Sequence, residues 1–93
     1  MIPGTTRSFI DSLVDYYISV AESYKQMAEI YADEVGDSSA ATFGLIVGSI
    51  YSAFLQTYDN QKQKPPLEDV QEFAQLIKRR AAQIKKAILD AKT

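Results

Sequence analysis

The chain has 93 residues, 10 Lys and Arg against 12 Asp and Glu, a net charge of −2, and no His, Cys or Trp. Without imidazole or thiol there is no soft-ligand metal site, no disulfide framework, and no Ser–His–Asp or Cys–His catalytic machinery. At 46% hydrophobic and 24% charged residues the composition is that of a folded chain, and the length fits one domain over 1–93.

Pro and Gly punctuate the sequence at Pro3-Gly4, Gly36, Gly44, Gly48 and Pro65-Pro66, and the apolar period between them is helical. A first helix is expected over about 5–35, capped by Thr5, Thr6 or Ser8. Its apolar residues fall in three adjacent rows: Ile10, Tyr17, Tyr24 and Tyr31; Leu13, Val20 and Met27; Val14, Ala21, Ala28 and Val35. Asp11, Asp15, Glu22, Glu29 and Asp33 lie opposite, on a solvated face. Gly36 supplies a left-handed helix terminus and Asp37 or Ser38 the next N-cap, so the second helix folds back antiparallel.

The second helix is expected over 38–61. It carries no charge from 38 to 58, a length that satisfies a bilayer span. A projection that groups Ser38, Thr42, Ser49, Gln56 and Asn60 on one side argues for a bundle helix rather than a membrane segment. Gly44 and Gly48, with Ser52, form a small-residue stripe on which the first helix's tyrosines are expected to pack. A third helix over 66–92 starts after Pro65-Pro66 and carries Val70, Phe73, Ala74, Ile77, Ala81, Ile84, Ala87, Ile88 and Ala91 at helical spacing. The expected fold is all-α, an antiparallel up-down-up three-helix bundle.

No motif for catalysis is present. The acids lack the inward Glu-x-x-Glu or Glu-x-x-His pairing of carboxylate metal sites, and Glu68, Asp69 and Glu72 are explained as capping a helix start. The glycines have no phosphate-loop spacing. The chain is therefore read as a non-enzyme without cofactor or metal. Two surfaces point to partners. The uncharged second-helix face, carried by Thr42, Ile46, Ser49, Ala53 and Gln56, is expected to dock on a larger protein or, as a homodimer, on a second copy. Lys78, Arg79, Lys85, Lys86 and Lys92 on the third helix form a basic patch, opposed by the acidic first helix, that suits an acidic protein segment or nucleic acid. No basic segment leads into an apolar one at the start, so a cytoplasmic setting is expected.

The long first helix, the Gly36-Asp37 turn and the run Ala40-Ala41-Thr42-Phe43 resemble HEPN-type helical hairpins over about residues 20–60. Those nucleases use an Arg-x4-6-His motif, which a chain without His does not supply, so the resemblance implies no nuclease activity. Small size, helical make-up and lack of Cys also resemble the small helical accessory subunit of crenarchaeal family B DNA polymerase holoenzymes, across the whole chain. That resemblance implies an archaeal, non-catalytic subunit bound to a DNA polymerase in replication.

Overall fold

Five α-helices and no strand occupy residues 1–92, which a computed structural model describes: α1 (Gly4–Ser19), α2 (Ala21–Ile30), α3 (Ala32–Val35), α4 (Ser38–Asp59) and α5 (Leu67–Asp90). Thr93, the last position of the expected domain, lies outside the described residues.

The fold is all-α, but the first expected helix is not one rod. It breaks at Val20 and Tyr31, whose φ and ψ of −114° and 16° and of −105° and 21° leave the helical basin. At the first break the Ser19 hydroxyl donates to the Tyr16 carbonyl at 2.6 Å, and the same carbonyl accepts the Val20 N–H at 3.2 Å. A hydroxyl competing for a helical carbonyl bends the helix, and β-branched Val20 is a poor residue to continue it. At the second break the Tyr31 N–H closes a tight turn onto the Ala28 carbonyl at 3.0 Å, and the helix resumes for one turn only. None of the expected cap residues starts α1. The helix begins at Gly4, and the Pro3 carbonyl accepts the Arg7 N–H at 2.9 Å.

The Gly36-Asp37 turn forms, with Gly36 not in the expected left-handed helical basin but in a γ-turn at ψ −65°, where the Asp37 N–H donates to the Val35 carbonyl at 2.9 Å. Gly36 sits at φ 80°, where a Cβ would be strained, and the Asp37 carboxylate accepts the Ala40 N–H at 3.0 Å. α4 stops at Asp59, two residues before the expected end, and the following turn places Lys62 at φ 56°. Pro66 precedes α5, with Glu68 and Asp69 in its first turn.

α5 packs against both α1 and α4, while α2 lies chiefly along α4. Phe54 stacks on Phe73 with ring centroids 4.9 Å apart, and Tyr58 and Tyr51 close around this pair at 5.1 and 5.2 Å. Ile10 and Val14 of α1, Ile46 and Ile50 of α4, and Ile77, Ile84 and Ile88 of α5 complete the buried core, with Ile2 at one end. Arg80 ties α5 to α1 through Asp15 and, at 3.4 Å, Asp11, so these acids are not simply solvated.

Phe54 is fully buried against three aromatic neighbours, Tyr51, Tyr58 and Phe73. Phe54→Ala is expected to cost about 3–5 kcal/mol of stability by urea unfolding, while truncating exposed Leu89 changes it by less than about 1 kcal/mol.

Candidate interaction surface

The second-helix face expected to meet a partner is largely the core face. Thr42 and Ile46 are fully buried, and the Thr42 hydroxyl turns back to the Ser38 carbonyl at 2.6 Å. Ser49 and Ala53 are half-buried, with the Ser49 hydroxyl on the Leu45 carbonyl at 2.8 Å. Only Gln56 of the five is exposed, its amide donating to Asn60 Oδ1 at 3.0 Å. The inversion has a physical cause. α4 has apolar residues on every side and no charge to mark the solvent, and its Thr and Ser hydroxyls satisfy themselves on the preceding turn.

What faces outward is the small-residue stripe. Ala40, Gly44, Gly48 and Ser52 recur every four residues and all are exposed, with Leu45 exposed beside them. The expected packing of tyrosines on the glycines does not occur. Tyr17 and Tyr24 meet each other edge to face at 5.3 Å, and Tyr31 is exposed. A Cβ built at Gly44 or Gly48 meets nothing within 4 Å among the described residues. α4 is also long and apolar enough to cross a membrane, with a mean hydropathy of 1.4 over its span window, of which 22% is buried inside the protein.

All five residues of the basic patch are exposed, but they do not form one row. Lys78 and Lys85, two turns apart, lie on the α4 side of α5, where Lys85 shares a cleft with Phe43. Arg79 lies towards α1, where it borders a second depression with Arg7 and Glu72. Lys86 pairs with Asp90 at 2.7 Å. Lys92 does not extend a helical row, because α5 ends at Asp90 and Ala91 is extended at ψ 136°. The cleft has a volume of about 320 Å³ and is lined by Asp37, Ser39, Ala40 and Phe43 from the start of α4, and by Lys85, Ile88 and Leu89 from the end of α5.

A polar cluster missed by the sequence reading closes the opposite end of the α4–α5 pair. Asp69 is buried, accepts the Tyr58 hydroxyl at 2.7 Å, and lies 2.9 Å from the Met1 ammonium, which also donates to Glu68 at 2.7 Å. Glu72 accepts the Ile2 N–H at 3.1 Å and pairs with Arg7. The Tyr58 hydroxyl and then the ammonium hold Asp69 below the ordinary carboxylate range, and the Ile2 N–H and Arg7 do the same for Glu72. Burial, followed by the Asp69 hydrogen bond, pushes Tyr58 up to about 12. One signal for this cluster existed in the sequence: Asp69 precedes Phe73 and Ile77 by four and eight residues and so belongs to their buried row.

Among the described residues no group of three acids is placed to hold a metal ion. The arrangement of the described residues offers a helix face uncharged from 38 to 58, a cleft, and flanking cations. No protein-family model, curated protein or solved structure matches the chain.

Because nothing packs on the glycines, Gly44→Ala and Gly48→Ala are each expected to raise stability by about 1 kcal/mol, read from the urea midpoint. The polar cluster contributes at both ends of the pH range. Asp69 and Glu72, with lowered values, contribute above the ordinary carboxylate pKa of about 4, and that contribution is lost as pH falls. Tyr58, raised to about 12, contributes fully below its ordinary value of about 10 and loses its contribution as pH rises through 12. Tyr58→Phe is expected to flatten the alkaline fall in a pH series of urea midpoints and to weaken the acid limb by removing the first partner of Asp69.

Proposed function

We propose that the protein is a non-catalytic interaction module, an accessory chain that docks on a larger protein through the outward face of α4. The observation that carries this reading is the orientation of Gly44 and Gly48. Each costs about 1 kcal/mol of helix propensity relative to Ala, and neither returns a contact within the described residues. Small side chains along one stripe let another backbone approach closely, which gives the cost a purpose outside the chain. The stripe lies in a stretch, 38–58, without a charged residue, whereas surfaces kept in solvent carry charges of both signs. In this reading α1, α2 and α3 act together as one jointed arm of an up-down-up bundle whose other arms are α4 and α5. An archaeal cytoplasmic replication complex, with a DNA polymerase as the larger partner, is the proposed setting; small size, helical make-up and lack of Cys support it.

Tagged full-length protein recovered from its source cells is expected to bring down a stoichiometric partner. Gly48→Arg should abolish that recovery while far-UV circular dichroism stays unchanged and the melting temperature does not fall. Recovery of the unaltered chain alone, as a monomer, overturns the proposal.

A second reading, direct nucleic-acid binding, is favoured by the exposure of Lys78, Arg79, Lys85, Lys86 and Lys92 on and beyond α5. It requires an affinity that falls steeply between about 50 and 200 mM salt. Gel shifts across that range decide it, and the absence of a shift at the lower salt ends it.

A further inference from the structure

We infer that the partner element seated on this surface is an acidic amphipathic helix, lying along the groove between α4 and α5 and inserting a large apolar side chain into the cleft at its end. This rests on the proposed role as an interaction module. Two independent features meet at Ala40, which both lines the cleft and starts the outward stripe of Gly44, Gly48 and Ser52. The stripe admits a neighbouring helix backbone closely, and the cleft, of about 320 Å³ and walled by Phe43, Ile88 and Leu89, has room for a bulky side chain.

Charge selects the occupant. Lys85 stands at the cleft and Lys78 two turns earlier on the same side of α5, about 10 Å along the axis. Neither makes an ion pair or side-chain hydrogen bond among the described residues, unlike Arg7, Arg80 and Lys86. Lys92 is exposed just beyond the same helix end. Across from these lysines α4 carries no charge between Ser38 and Tyr58, and the one carboxylate at the cleft, Asp37, accepts the Ala40 N–H. Cations spaced by two helical turns match carboxylates at the same spacing on a helix running alongside. The chain's own acidic arm is a poorer occupant in a second copy, because Asp15 is bound to Arg80 and Glu29 accepts the Ser38 hydroxyl at 2.7 Å.

The test uses a fluorescent synthetic helix of about 21 residues, roughly six turns, with Leu and Ala on one face and Glu along both flanks. Its controls carry Lys in place of Glu, or the same residues in scrambled order. Full-length protein is expected to bind the Glu helix saturably, and about tenfold or more tighter than either control. K78E with K85E should weaken the Glu helix about tenfold and strengthen the Lys helix. Gly48→Leu should weaken the Glu helix similarly by filling the close-approach site, with circular dichroism unchanged. Equal binding of the Glu and scrambled peptides, or no effect of Gly48→Leu, overturns the inference. A concentration-dependent dimer in sedimentation that Gly48→Leu dissolves seats a second copy in the groove and also overturns it. Loss of the native complex in Gly48→Arg, combined with failure of every peptide arm, discards the acidic helix and leaves the interaction module standing.

Discussion

The stack of Phe54 on Phe73 fixes the register on which the other features depend. In an antiparallel helix pair, a step of four residues forward on α4 is matched by four backward on α5. From Phe54 and Phe73 that step reaches Tyr58 and Asp69, which are hydrogen-bonded. About eleven residues in the other direction it reaches Phe43 and the neighbourhood of Lys85, which share the cleft. The buried carboxylate at one end and the half-open cleft at the other are thus two readings of one register. A slip of one turn would leave Asp69 buried without its phenol, a cost well above that of a surface contact.

The helical class and most segment ends were legible because they rest on local chemistry. Gly36 at positive φ and Asp37 as a cap need no tertiary information, nor does the stop before Pro65-Pro66. α5 was legible as a buried row because apolar and charged residues alternate sharply around it. The breaks at Val20 and Tyr31 were hidden because a seven-residue pattern continues through both; one hydroxyl and one β-branched residue produce the first, and a tight turn of Tyr31 onto the Ala28 carbonyl the second. The orientation of α4 was hidden for the opposite reason. Thr42, Ile46, Ser49 and Ala53 share a projected face with Ser38, Gln56 and Asn60 that reads as outward, yet no charge between 38 and 58 marks the solvent side, and Thr and Ser can bury by bonding their own backbone. Ion pairs between distant helices, such as Arg80 with Asp15, leave no mark in either helix taken singly.

The charge distribution takes on a different sense in three dimensions. Read along the chain, an acidic first arm and a basic last helix nearly cancel. In the fold, part of that opposition is spent internally, through Arg80 on Asp11 and Asp15 and Arg7 on Glu72. Exposed pairs of this kind add little stability, but they fix which side of α5 faces α1. The lysines on the other side are left to the α4 groove, so the sorting of α5's cations between two flanks separates structural charge from available charge.

α3 contains no buried residue, and its single turn joins the break at Tyr31 to the Gly36 reversal. Segments with little buried surface open at free energies far below global unfolding. The hairpin end beside the cleft therefore exchanges its amide hydrogens early, while the end sealed by Tyr58 and Asp69 holds them until the whole domain unfolds. The molecule has a latched end and a loose end, and the surface open to partners begins at the loose one.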